Sequence, residues 1–167
     1  MSAFMRVLTF YLARAVGVVL ALLLAALVAL ATLETVAWAL FEVSWPQTSE
    51  ISGLLLVWFG FLGAAYGIHG RVHLGVEIVI RRLPRPWRDG VLRLASALVA
   101  LFGVLVAFYG AALTSRVGNT LPATGLSAAV QYFPAVVAGA LMAVFALEEV
   151  LTGPDQAPPA EDRDASP

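Results

Sequence analysis

The sequence has no cysteine and no lysine, and charged residues make up only 13% of its 167 positions. Without cysteine there are no disulfides, thiolate metal sites or thiol nucleophiles, which also excludes the four-helix quinone-linked disulfide oxidases. The missing lysine, with all ten basic residues being arginine and alanine, leucine and valine abundant, reads as the composition of a GC-rich bacterial genome. The shortage of charge carries more meaning. Soluble domains are about one quarter charged, whereas 60% of this chain is hydrophobic, too much for the remaining polar surface to cover. The net charge of −1 says little about partners; the placement of charge says more.

The charges that exist are confined to a few segments, separated by apolar runs long enough to cross a bilayer, which takes roughly 20 helical residues. The runs cover about 15–35, 51–68, 94–113 and 128–149. They lack the alternation of barrel strands, and helices satisfy their own backbone in lipid. An all-α membrane domain over 1–152 with four transmembrane helices follows. Ala29-Leu30-Ala31 resembles a signal-peptide cleavage site, but the first apolar stretch is longer than the roughly 7–15 residues of a signal-peptide core. It reads as a retained span.

Arginine placement orients the bundle. The N-terminal arm carries Arg6 and Arg14, and the segment from Phe41 to Glu50 carries none. The middle connection carries Arg71, Arg81, Arg82, Arg85, Arg88 and Arg93, and the third connection Arg116 alone. This alternation predicts both termini in the cytoplasm of a bacterial inner membrane. The tail 153–167 is rich in proline and acidic residues and reads as disordered.

Within the middle connection, Val72, Val76, Val79 and Leu83 share one helical face, and Glu77 and Arg81 are spaced for an i,i+4 pair. This predicts a short amphipathic helix over about 71–83 lying in the headgroup layer, stopped by Pro84 and Pro86, with Trp87 as an interfacial anchor. The density of β-branched residues from Val76 to Ile80 leaves an extended reading open, although a lone strand against lipid has an unpaired backbone. The arginines are sufficiently explained as anchors and orientation signals; contact with lipid phosphates or with acidic groups of a partner is the sharper reading.

Charged groups inside a membrane are functional candidates by default, so each one was located. Glu34 lies 20 residues beyond Arg14, about 30 Å along a helix, and so falls near the outer surface with an exposed structural role. Glu50 opens the second span, where a carboxylate complements the helix dipole; Thr48 and Ser49 are capping candidates and a partner contact is the alternative. Glu148 and Glu149 end the fourth span. His69 and His73 flank the inner interface without the companions a metal site needs. No span carries a charge at its centre, whereas proteins that move a charged solute through the membrane have polar groups or broken helices there. Pro134, one turn after Gln131, marks a kink or the effective start of the fourth helix. Small residues form stripes at spacings of three and four: Gly17, Ala21, Ala25 and Ala29; Gly60, Gly63 and Gly67; Gly103, Ala107 and Gly110; Ala135, Gly139 and Ala143. Such stripes permit close helix packing and suggest a compact bundle that also docks on another membrane protein.

Trp45 and Glu50, the run Leu55-Leu-Val-Trp-Phe-Gly-Phe-Leu-Gly-Ala-Ala65, His73-Leu-Gly-Val76, Leu83-Pro84, Leu121-Pro122 and Tyr132-Phe-Pro-Ala135 occur in that order. From about Val16 to Glu149 the chain resembles the small membrane subunit, of DctQ type, of tripartite ATP-independent periplasmic (TRAP) transporters. The resemblance implies a scaffold role beside a large permease of about 12 spans that carries the substrate and sodium sites, fed by a periplasmic solute-binding protein, in uptake of an organic acid. It also implies an inner horizontal helix matching 71–83. It assigns no catalytic residue, cofactor or metal, and nothing points to nucleic acid. Candidate partner or lipid contacts are Trp45, Glu50, Trp58, Gly60, Gly63, Arg71, His73, Arg81 and Arg82. The competing readings are the small subunit of a tripartite tricarboxylate transporter and an autonomous oligomeric exporter or channel; the bare span centres argue against the latter.

Overall fold

The computed structural model describes residues 2–69 and 85–152, with side chains for 7–68 and 90–151. The expected interfacial helix over 71–83 and the tail 153–167 lie outside the described residues. The described residues form four helices: α1 (Ser2–Phe41), α2 (Pro46–His69), α3 (Arg85–Arg116) and α4 (Ala129–Thr152). Each is long and apolar enough to cross a membrane, and no strand is present among the described residues.

Local sequence explains most of the helix ends. α1 closes on Glu42, a non-glycine residue with φ of 53°, whose N–H donates to the Trp38 carbonyl at 3.0 Å. This is the left-handed turn that ends many helices. α2 opens at Pro46, where the fixed φ and missing N–H suit the first helical position. The helix therefore starts ahead of Thr48 and Ser49, which lie within its first turn rather than capping it. Pro86 likewise sits in the first turn of α3, where no intrahelical hydrogen bond is lost. Ser127 caps α4, its hydroxyl accepting from the Ala129 N–H at 3.3 Å. α4 thus starts before Pro134, which is fully buried inside it.

α1 is 40 residues long, about 60 Å at 1.5 Å per residue, so it outreaches a hydrocarbon core of about 30 Å. α4 packs on α3 most extensively and on α2 next; α2 in turn packs on α1, α1 also meets α4, and α3 has its one extensive contact with α4. α4 is therefore the helix that the other three share. α4 is the most buried of the four helices: one third of an 18-residue stretch of it is buried, against 6% of such a stretch of α1. The core lies around Ala65 of α2 and Ala138 and Met142 of α4, with Ile68 and Leu141 against it.

The α3–α4 contact is a backbone contact. A Cβ on Gly139 would stand 2.6 Å from the Ala107 nitrogen and 2.7 Å from the Gly103 oxygen; one on Gly103 would stand 2.7 Å from the Ala143 nitrogen. Gly110 continues the seam, 3.2 Å from the Val136 nitrogen. Of the four small-residue stripes, the two on α3 and α4 meet each other. On α2, by contrast, Gly60 and Gly67 have open space around them.

These distances separate two glycines by consequence. Gly139→Ala forces α3 and α4 apart and lowers stability by about 1–3 kcal/mol, the usual cost of overpacking. Gly60→Ala, with no neighbour to meet, stays within about 0.5 kcal/mol of the parent or gains slightly from helix propensity. Thermal unfolding of the purified chain in detergent distinguishes them.

Candidate functional site

The ends of the helices remote from Arg14 carry the most developed polar structure. The loop of residues 117–128 between α3 and α4 is a small closed unit held by its own backbone. Thr120 and Ser127 form an antiparallel bridge. The Leu121 N–H donates to the Leu126 carbonyl at 2.7 Å, the Gly125 N–H to the Leu121 carbonyl at 2.9 Å, and the Ala128 N–H to the Asn119 carbonyl at 3.0 Å. Gly125 has φ of +72°, a conformation glycine adopts without a Cβ penalty. Pro122 sets the start of the turn.

That turn leaves the N–H groups of Ala123 and Thr124 pointing out of the loop, and Glu50 of α2 receives both. Its Oε2 accepts from Thr124 at 2.6 Å and its Oε1 from Ala123 at 3.3 Å; the Thr124 hydroxyl bonds the carboxylate as well. A carboxylate accepting backbone N–H groups makes charge-assisted bonds, about twice as strong as neutral ones. Glu50 therefore ties the outer end of α2 to the α3–α4 loop across more than 70 positions of sequence. The dipole role expected for it gives way to this cross-link, because α2 begins at Pro46 and Glu50 lies beyond its first turn.

The other candidate residues divide around that tie. Trp45 is 43% exposed, and its carbonyl accepts the Thr48 N–H as α2 begins. Trp58, two turns below Glu50, faces α4, its ring 6.1 Å from that of Phe133. Gly63 lies 3.9 Å from Leu20 of α1, measured from its Cβ position, and Gly60 is open. Motif residues far apart in sequence thus meet in space: Glu50 beside the turn that follows Leu121-Pro122, and Trp58 beside Tyr132-Phe-Pro-Ala135. Arg71, His73, Arg81 and Arg82 lie outside the described residues. Among the described residues no three of His, Cys, Asp and Glu gather as metal ligands would. Sequence reasoning missed Ala123, Thr124 and Gly125; the Pro122 and Gly125 pair was the available turn signal, but its partner Glu50 had no local signal.

Glu34 is half-buried on α1 rather than fully exposed. The groove around it is lined by Ala31, Thr35, Trp38 and Ser44.

Removing the Glu50 acceptor leaves two amides without a protein partner. Glu50→Ala is expected to speed hydrogen exchange at Ala123 and Thr124 about tenfold or more, corresponding to a loss of about 1–3 kcal/mol. Glu50→Gln, which keeps one acceptor oxygen, falls between the two. Peptide-level hydrogen–deuterium exchange over 117–128 reads the difference, and unchanged exchange in Glu50→Ala means the tie does not hold the loop.

Comparison with known proteins gives this architecture a family. Residues 27–153 match the family model described as tripartite ATP-independent periplasmic transporters, DctQ component. A protein of Haemophilus influenzae named as a TRAP transporter small permease protein is 25% identical over 150 residues, covering 89% of this chain and 92% of the relative. The C4-dicarboxylate TRAP transporter small permease protein DctQ of Rhodobacter capsulatus is 37% identical over 67 residues, 40% of this chain and 29% of the relative. A family of transporter components, not of enzymes, accounts for four apolar spans without a catalytic cluster among the described residues. The chain belongs to the DctQ family: it is the small permease subunit of a TRAP transporter and a multi-pass protein of the inner membrane.

Proposed function

We propose that this subunit is a scaffold: it carries no solute itself, and it holds the large permease subunit during sodium-coupled, binding-protein-dependent uptake of an organic acid. The observation that supports this most directly is where charge sits. Arg14, Glu34, Glu50, Arg93, Arg116, Glu148 and Glu149 all lie toward helix ends, and the middle of every helix is apolar. A path for a carboxylate and sodium needs polar groups or broken helices near the midplane. The organic-acid assignment draws on the C4-dicarboxylate named for the R. capsulatus relative.

The uneven packing supports a partner on the α1 side. α3 is fastened by backbone contact and turns bulky residues outward, among them Leu98, Phe102, Phe108 and Tyr109, a suitable surface for acyl chains. α1 packs on α2 and more lightly on α4, and Ala21, Ala25 and Ala29 on its exposed face allow another helix to come close. In lipid, where helices gain little from the hydrophobic effect, such an approach is what packing needs. The outer loop, stiffened by Glu50, is a surface the solute-binding protein can meet. The arginine pattern supports a topology with both termini in the cytoplasm and the amphipathic segment 71–83 on the inner side.

Two measurements test this reading. The chain co-purifies with its large permease, and alone in liposomes it supports no sodium-driven uptake; uptake by the isolated chain overturns the scaffold assignment. Ala25→Leu leaves the unfolding midpoint of the isolated subunit unchanged, because Ala25 is exposed, yet reduces co-purification. Orientation is checked separately: a reporter active only in the periplasm should work when inserted at Val43 and fail when fused after Thr152. The reverse pattern inverts the topology.

A further inference from the structure

α3 and α4 do not end at the same level on the side where α3 begins. A Cβ on Gly103 would meet Gly139, Met142 and Ala143, and one on Gly110 would meet Ala135 and Val136. The two helices therefore run antiparallel, with Gly103 level with about Leu141. Counted in equal steps from that pair, Thr152, the last residue of α4, comes level with about Leu92. α3 starts at Arg85, so its first two turns project about 10 Å beyond the end of α4. α4 is the helix on which α3 packs extensively, and past its end Gly90, Val91 and Arg93 are exposed.

Charge on that projecting end is unbalanced. Arg85, Arg88 and Arg93 lie on it with Asp89 as the one acidic residue, and at 3.6 residues per turn all four fall within one half of the helix circumference. Arg93 forms no ion pair among the described residues. A helix N-terminus favours carboxylates over cations, yet the first turn of α3 has no acidic residue. The missing counter-charge follows α4 in the sequence. Residues 153–167 hold Asp155, Glu161, Asp162 and Asp164 against Arg163 alone. Asp155 stands three residues past Thr152, and 153–167 can span up to about 50 Å, several times the projecting length of α3. Glu148 and Glu149 of α4 are already engaged, and Glu34, Glu42 and Glu50 lie at the opposite end of the helices. Arg6 and Arg14 of α1 also belong to this end, but α1 packs on α4 far more lightly than α3 does.

We propose that segment 153–167 folds back on the start of α3, its carboxylates pairing with Arg85, Arg88 and Arg93, and so covers a basic surface that anionic lipid headgroups otherwise occupy. One exposed ion pair contributes little, but a tethered segment presents its four carboxylates together, at an effective concentration on the order of millimolar. Acidic headgroups attract basic residues at the ends of spans and compete for the same arginines. The segment is thus an internal competitor that sets how strongly this end of the subunit holds an acidic membrane. The assignment is independent of the scaffold reading. It is also independent of orientation, because the start of α3 and the end of α4 share one side of the membrane either way.

The chain has no cysteine, so Ser166→Cys accepts a single bimane label, a fluorophore that tryptophan quenches at short range. Trp87 lies in the first turn of α3, whereas Trp38 and Trp45 lie at the opposite end and Trp58 in the middle of α2. In the full-length chain in neutral detergent, Trp87→Phe should raise the emission about twofold or more. A neutral tail (Asp155→Asn, Glu161→Gln, Asp162→Asn and Asp164→Asn together) should do the same. So should about 0.5 M salt, which shortens the Debye length to about 4 Å. Native mass spectrometry of the unlabelled chain gives the second reading: the neutral tail should bind phosphatidylglycerol about threefold or more tightly than the parent, with phosphatidylcholine unchanged. Emission that neither Trp87→Phe nor the neutral tail alters overturns the proposal, and so does phosphatidylglycerol binding that the neutral tail leaves unchanged. If emission ignores the tail charges while Arg88→Gln weakens phosphatidylglycerol binding, the arginines serve the lipid alone and the tail assignment is wrong.

Discussion

Everything in this fold depends on how closely α3 and α4 approach at Gly103 and Gly139. In water two helices are pushed together by the apolar surface they hide, but in a bilayer the lipid is as apolar as the helices. Association must come from dispersion and close fit, and a fit in which backbone atoms touch is the densest available. The absence of two Cβ atoms provides it: each glycine lies where a Cβ would come within 2.8 Å of the other's carbonyl oxygen. With α3 clamped on one side of it, α4 becomes the centre of the layer, and the small core at Ala65, Ala138 and Met142 forms on its other side, against α2. Pro134 lies in that central helix and is fully buried.

The clamp fixes two helices along their length but leaves their outer ends free to splay. Glu50 limits this at low cost, because a single side chain at the membrane boundary bonds two amides of the α3–α4 loop. The loop could not do the same for itself: its internal hydrogen bonds use the N–H groups of Leu121, Gly125 and Ala128, so those of Ala123 and Thr124 require a partner from elsewhere. A carboxylate is a suitable partner, since it has two acceptor oxygens and gains strength from its charge. The packing is thus governed by sterics inside the membrane and by electrostatics at its edge.

The sequence made much of this legible, for identifiable reasons. Spans are readable because the bilayer imposes length and apolarity on them, and the glycine stripes of α3 and α4 are readable because backbone approach in lipid demands small residues. Helix ends were less so: α2 begins at Pro46 and α3 at Arg85, both ahead of their apolar runs, because hydrogen bonding continues past the hydrocarbon boundary while hydropathy does not. A compact bundle was expected from four packing faces; α4 contacts the other three helices, while α3 packs extensively on α4 alone. A stripe shows that close packing is allowed but not which other stripe it meets, so Gly60 and Gly67 could not be distinguished from Gly103 and Gly139. The Glu50 tie was invisible for the same reason, since nothing local links it to Thr124.

The unequal packing of the helices bears on why such a subunit would exist beside a permease. A bundle in which every helix is equally packed hides its small residues inside and presents a lipid-like surface on every side, which leaves little on which another protein can pack. Here α1 and α3 both lie at the margin of the fold, and they differ. α3 is already secured by backbone contact, so its outward Leu, Phe and Tyr side chains gain little from a protein neighbour over lipid. α1 makes the least extensive contacts with the other helices, and Ala21, Ala25 and Ala29 are exposed on it. An unclosed edge helix in a bilayer gains most from a further helix or an ordered lipid, because either supplies the dispersion contacts it lacks. The least packed helix is therefore the one through which this subunit is best equipped to join something larger.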